Sequence, residues 1–255
     1  MKKWLCSALI MLLVGCVMLG IAIKNDDAAE FIEASKAYET EVYEITEAVE
    51  SVFVHDSDQD IKILPAEDGK CRLEYSKGKH DRYEIAFEDG ALSVEKSEEF
   101  HIQLLPEFDG GEIKLYLSEG EYNELKIRAA SSDVYVAEGF SFENVAIDLS
   151  SGDVSIHADM GKVMIDTASG DVALCNMAAD KIEIGTASGD VSFEGLDAGG
   201  IFISTASGDV EGSVVKPMLY ETDTASGDVD VPVSMRDAEI CRIETASGDI
   251  VIREE

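Results

Sequence analysis

From Glu41 onward, apolar side chains tend to fall on alternate positions. Val52 and Val54, Ile61 and Ile63, Leu73 and Tyr75, Ile85 and Phe87, and Leu92 and Val94 each bracket a polar or small residue. A period of two places such residues on one face of a strand. Asp56-Ser57-Asp58, Glu67-Asp68-Gly69, Lys77-Gly78-Lys79 and Glu88-Asp89-Gly90 separate the runs as turn signals. Residues 41–122 therefore read as an irregular β region. Residues 97–111 interrupt it with a dense apolar group, Phe100, Ile102, Leu104, Leu105 and Phe108. They read as a long loop, either folded onto the β core or exposed for recognition.

From about residue 123 the alternation acquires a second, longer period. The pentapeptide TASGD occurs at Thr167–Asp171, Thr186–Asp190, Thr205–Asp209, Thr224–Asp228 and Thr245–Asp249. A weaker copy lies at Ser150–Asp153 and a decayed one at Ser131–Asp133. Successive aspartates stand at 133, 153, 171, 190, 209, 228 and 249, so the steps are 20, 18, 19, 19, 19 and 21 residues. Val163-x-Ile165, Ile182-x-Ile184 and Ile201-x-Ile203 precede the pentapeptide; Val172-x-Leu174 and Val191-x-Phe193 follow it. Each window is strand, bend, strand and variable link. No single window can bury its apolar face alone. Stacking at about 4.8 Å per coil sets like residues atop one another. The expected fold is all-β: a single-stranded parallel β-solenoid of about seven 19-residue coils over 123–255, preceded by the irregular region.

The bend residues have geometric roles in this reading. Gly152, Gly170, Gly189, Gly208, Gly227 and Gly248 suit a sharp bend through their tolerance of positive φ. Ser and Asp can bond main-chain amides that the bend leaves unpaired. Tyr220 and Thr222 replace the aliphatic pair before Thr224, with Pro217 and Pro232 in the flanking links, so this coil should pair irregularly. The final coil ends at Glu255 and is expected to form the open edge, guarded by Arg253, Glu254 and Glu255 or met by a partner strand.

The N-terminus has a different pattern. Met1-Lys2-Lys3 precedes an apolar run from Trp4 to Ile23, about 30 Å as a helix and one hydrocarbon thickness. With two lysines ahead of it and Asp26, Asp27 and Glu30 behind, residues 1–24 read as a single-pass membrane anchor. The rest then lies outside the cytoplasm. Two other readings remain: lipidation at Cys16, since Leu13-Val14-Gly15-Cys16 resembles a lipobox, and a cleaved signal peptide. Residues 25–40 are an acidic stalk.

Charge narrows the partners. Fifty-three acidic against 20 basic residues give a formal charge of −33, which repels nucleic acid and favours cationic partners. The partners expected are the membrane, through the N-terminal helix, and a protein or envelope polymer. Cys71, Cys175 and Cys241, widely spaced, make no disulfide framework, and the last two read as small apolar core residues. His55, His80, His101 and His157 are isolated, and no nucleophile, P-loop or dinucleotide motif occurs. No catalytic residue and no cofactor is expected.

Stacking would place Asp153, Asp171, Asp190, Asp209, Asp228 and Asp249 in one row. Neighbouring unit charges about 4.8 Å apart repel by about 0.9 kcal/mol in water. The row can be relieved by hydrogen bonds from bend amides, by water, or by cations between coils. The last option makes these aspartates candidate calcium ligands, although calcium wants six to eight oxygens. The alternatives to a binding or structural module are thus a calcium-dependent surface module and a β-helical enzyme acting on polysaccharide.

The repeat, with Leu125-x-Ile127 before Ser131 as its first trace, resembles a bacterial β-strand-repeat family whose members carry the label "putative adhesin". The resemblance spans roughly residues 40–255. It implies a cell-envelope β-solenoid, often on a single-span anchor, with some relatives tied to envelope-stress systems, and it supplies no catalytic residue. The reading as a whole is a membrane-tethered extracytoplasmic module serving adhesion, scaffolding or sensing.

Overall fold

The computed structural model describes residues 39–77, 82–97 and 111–255. The anchor, the lipobox cysteine Cys16, most of the stalk and nearly all of the 97–111 loop lie outside them.

Alternating apolar positions form strands throughout, and no helix occurs among the described residues. The early region gives β1 (Glu39–Glu44), β2 (Ser51–His55), β3 (Asp60–Pro65), β4 (Arg72–Lys77), β5 (Arg82–Glu88), β6 (Ala91–Ser97) and β7 (Glu112–Leu117). The repeats begin with β8 (Gly120–Ser131), β9 (Val134–Val136), β10 (Phe140–Ser151), β11 (Val154–Ile156), β12 (Asp159–Ser169), β13 (Val172–Cys175), β14 (Ala178–Ser188) and β15 (Val191–Ala198). They end with β16 (Ile201–Thr205), β17 (Val210–Val214), β18 (Leu219–Thr224), β19 (Val229–Asp230), β20 (Ile240–Thr245) and β21 (Ile250–Glu254).

Within each repeat the two strands belong to different sheets, and each pairs in parallel with its counterpart in the next rung; β15 also reaches the first sheet, where Asp197 and Ala198 pair with Ala178 and Ala179 of β14. The first sheet runs β5-β6-β2-β8-β10-β12-β14-β16-β20-β18. The second runs β1-β4-β7-β3-β9-β11-β13-β15-β17-β21-β19. Register follows the repeat: Val163 faces Ile182, which faces Ile201, and Thr167 faces Thr186, which faces Thr205. The inward columns are nearly dry. In the second sheet Ile113, Ile61, Val134, Val154, Val172, Val191, Val210 and Ile250 are each at most 1% exposed, whereas Val229 on the outermost rung is 44% exposed. Full burial of such a side chain contributes about 1.5–3 kcal/mol, so the columns hold the sheets together.

The order of rungs departs from chain order at both ends. The rung of β6 and β7 lies outside that of β2 and β3, and antiparallel strands β5, β4 and β1 cover it. The strands before residue 123 thus continue the same two sheets. At the other end β20 and β21 insert between the rung of β16 and β17 and that of β18 and β19. The expectation that the last coil forms the open edge is overturned: Arg253 and Glu254 lie on an inner strand. Thr222 gives the physical reason. It faces Ile243 across the sheet; placed inside, its hydroxyl would sit in an isoleucine column at a cost of about 1–3 kcal/mol if unpaired. Ile243, Ile250 and Ile252 are fully buried and take the inner position instead. The irregularity expected of the 219–230 coil is present, since β19 is two residues long.

One repeat solves a volume problem. Phe193 occupies a column position where its neighbours carry Leu174 and Gly212. The ring lies over Gly212, whose added Cβ would stand 2.3 Å from a ring carbon. A register shift follows between Phe193 and Leu196, with Gly195 at φ +58. Gly212→Ala should cost about 1–3 kcal/mol in urea unfolding, and Phe193→Leu in that background should recover part of the loss. No recovery would mean that the ring does not fill the glycine's space.

Candidate functional site

The TASGD bend carries the most regular polar chemistry of the molecule. Its threonine points inward: Thr167, Thr186, Thr205 and Thr245 are buried. On the last rungs the hydroxyl donates to a glycine carbonyl of the neighbouring rung, Thr224 Oγ1 to Gly248 O at 3.1 Å and Thr245 Oγ1 to Gly208 O at 3.4 Å.

The glycines are required by close approach rather than by the positive φ expected. Gly152 has φ +124, but Gly170, Gly189, Gly208, Gly227 and Gly248 are not in the left-handed region. A Cβ added at Gly170, Gly189 or Gly208 would lie 1.9, 2.0 or 2.0 Å from the carbonyl oxygen of the preceding copy's glycine. Gly248 abuts Gly208 and Gly227 abuts Gly248, each at 2.0 Å, in the same exchanged order as the strands.

The aspartates form a ladder. Each Oδ1 accepts the main-chain N–H of the aspartate one rung along: Asp133 from Asp153 (2.9 Å), Asp153 from Asp171 (2.9 Å), Asp171 from Asp190 (2.8 Å) and Asp190 from Asp209 (2.8 Å). Asp209 then accepts from Asp249 (2.8 Å), and Asp249 from Asp228 (2.7 Å). Asp60 starts the ladder by accepting from Asp133 at 3.2 Å. All six candidate ligands, Asp153 to Asp249, are exposed on this one row. The amide bond relieves repulsion between neighbours, and water screens the remainder. Among the described residues, no group of three or more His, Cys, Asp or Glu is arranged to hold a metal ion.

Two variants separate the parts of this arrangement. Asp190→Ala removes the acceptor for the Asp209 amide and should cost about 1 kcal/mol. Asp190→Asn keeps the acceptor and deletes a like charge, so urea midpoints should match or exceed the wild type at low salt. That advantage should shrink as salt rises. Equal losses for the two variants would remove the ladder from the account.

Elsewhere the surface is open. One groove, about 940 Å³, runs along the N-terminal ends of β8, β10, β12 and β14, with Glu121, Glu143, Asp159, Asp180, Asp197 and Lys216 along it. The Lys216 ammonium stands 2.8 Å from Asp197. On the outer face of the first sheet, Phe202 lies beneath Lys181 Nζ and the Arg242 guanidinium, 5.0 and 5.9 Å from the ring centroid. Among the cysteines, Cys241 is buried as expected and burial pushes its thiol up to about 12, while Cys175 is only half-buried. His157 pairs with Ser155 at 3.2 Å and packs against Tyr135. Sequence reasoning missed the Phe202 cluster because its members come from three rungs, and only the register of β14, β16 and β20 unites them.

No curated protein matches the chain. Among solved structures, a "putative adhesin" from Bacteroides fragilis is 12% identical over 86% of this chain and 99% of its own, with a TM-score of 0.48. A "putative adhesin" from Parabacteroides merdae is 12% identical over 85% of this chain and 96% of its own, at 0.40. A "putative lipid binding protein" from Parabacteroides distasonis is 15% identical over 84% of this chain and 97% of its own, at 0.31. The family model described as Toastrack DUF4097 matches residues 49–255, most of the chain and nearly all of the described strands. The chain belongs to the Toastrack DUF4097 family.

Proposed function

We propose that this protein is an extracytoplasmic module of a bacterial cell envelope, tethered by its N-terminal segment and wound as a β-solenoid. It works by binding or scaffolding rather than by catalysis. One observation carries this reading: the repeat's aspartate directs a carboxylate oxygen to the neighbouring rung's amide. The repeat therefore builds length and a regular acidic surface, which suits a cationic or neutral partner. Cross-linking on intact cells followed by mass spectrometry tests it. The expected result is capture of envelope components, with residues 39–255 cleaved by protease added outside the cells. Digestion only after lysis would defeat the proposal.

The module is further proposed to be independent of calcium, because one oxygen of each ladder carboxylate up to Asp249 already accepts an amide and one aspartate per rung falls short of the six to eight oxygens that calcium takes. Thermal midpoints with added calcium and with chelator should coincide within about 1 °C, less than a change of 1 kcal/mol would produce in a domain of this size. A rise of several degrees with calcium would favour the calcium-dependent module instead.

A further inference from the structure

We propose that residues 231–238 form a strap that occludes a strand-addition site on β18, and that the strand it excludes is β18 of a second copy of this chain. The proposal goes beyond the envelope role and does not depend on it.

In a parallel pair, alternate residues direct their main-chain groups to opposite sides of the strand. Leu219 N donates to Glu239 O, so its side of β18 serves β20. Tyr220 and Thr222 direct their amides and carbonyls the other way, off the end of the stack. At Tyr220 that side is plugged. Tyr220 N donates to Ser234 Oγ at 3.0 Å, and Ser234 Oγ donates to Tyr220 O at 3.3 Å. Met235 N donates to Met218 O at 3.0 Å, and Ala238 N to Met235 O at 3.2 Å closes the strap's turn. One hydroxyl thus stands where a neighbouring strand's amide and carbonyl would be. Val231 packs against the core at the strap's start, but its middle is otherwise poorly anchored: Val233 is 92% and Met235 53% exposed.

The identity of the excluded strand follows from the two ends. At the far end the first sheet, to which β18 belongs, closes on β5, which runs antiparallel to the stack, and the second sheet closes on β4 and β1, antiparallel to each other, so among the described strands the two ends are unlike edges. Like edges match: β18 of one copy meets β18 of another antiparallel about a two-fold axis, with each outward amide and carbonyl facing its own counterpart's strand. Such a contact closes at a dimer. Charge is partly prepared for it. Glu221 is paired with Arg242 at 2.5 Å, and Asp230 with Arg253 at 2.9 Å. That leaves Asp223 and Asp228 as the repelling groups at the edge, a repulsion that salt screens.

The test is light scattering on the full chain and on the double variant Ser234→Ala, Met235→Pro, which removes the hydroxyl and the Met235 amide together. The wild type should be monomeric. The double variant should dimerise at least about tenfold more tightly, and more so at high salt. Adding Thr222→Pro should restore the monomer, since it deletes an outward amide and spares those facing β20. Amide exchange on the milder Ser234→Ala protein should show faster exchange at Tyr220 with the inner rungs unchanged. A folded double variant that stays monomeric at every salt, a dimer indifferent to Thr222→Pro, or an undisturbed Tyr220 amide in Ser234→Ala would each overturn the proposal.

Discussion

Cysteines introduced by Ser204→Cys and Glu244→Cys should cross-link completely on mild oxidation, and those introduced by Ser204→Cys and Asp223→Cys should not. All three positions are exposed on the outer face of the first sheet. Ser204 and Glu244 are register partners on β16 and β20. Neighbouring strands about 4.8 Å apart lie within the Cα separation that a disulfide spans. Ser204 and Asp223 are the natural partners if rungs follow the chain, since both stand two residues before the alanine of TASGD. In the structure β20 lies between them, which places them about 9.6 Å apart, beyond the roughly 7 Å limit. Peptide mapping reads the outcome directly. The Ser204–Glu244 cross-link closes a loop of about 40 residues and should stabilise by up to about 4 kcal/mol on the chain-entropy account. Ready formation of the Ser204–Asp223 cross-link would reverse the rung order and remove the basis for the strap.

The second large effect concerns the glycine row. Gly208→Val should cost about 3 kcal/mol or more, at the upper end of overpacking, because the obstacle is a main-chain oxygen 2.0 Å from the new Cβ. That oxygen belongs to Gly189 in the next rung, and it can retreat only if the rungs part. Gly227 meets the same 2.0 Å obstacle from Gly248, but on the outermost rung. Gly227→Val should therefore release that rung alone, with amide exchange rising over 219–230 and the global midpoint nearly unchanged. Gly69 calibrates the conformational part of the loss. It has φ +69 and nothing within 4 Å of an added Cβ, so Gly69→Ala should cost about 1 kcal/mol. If Gly208→Val costs no more than Gly69→Ala, contact between rungs is not the reason for the glycine.

Much of this was legible in the chain because a repeat reports its own register. Spacing of TASGD places Thr167 against Thr186 and Asp171 beside Asp190 without any coordinates, and alternation assigns Val163 and Ile165 to the inside. The relief of the aspartate row by amides was among the options the residues allowed. Tolerance of positive φ, which the sequence suggests for the bend glycines, applies at Gly152 but not at Gly170, Gly189, Gly208, Gly227 or Gly248; a close approach between rungs is invisible until the rungs are superposed. Phe193 and Gly212 look unrelated in sequence; only their adjacency in one column explains why a large and a small residue occur there.

The sequence by itself determined the strands, the repeat length and the set of residues that share each column, because alternation and period are local properties that each window repeats. The tertiary structure decided the order in which rungs are stacked. Every window offers the same edge to every other, so local pattern cannot rank them. The ranking comes from burial across the whole stack, which places Ile243, Ile250 and Ile252 inside and leaves Thr222 and Val229 at the water-facing end.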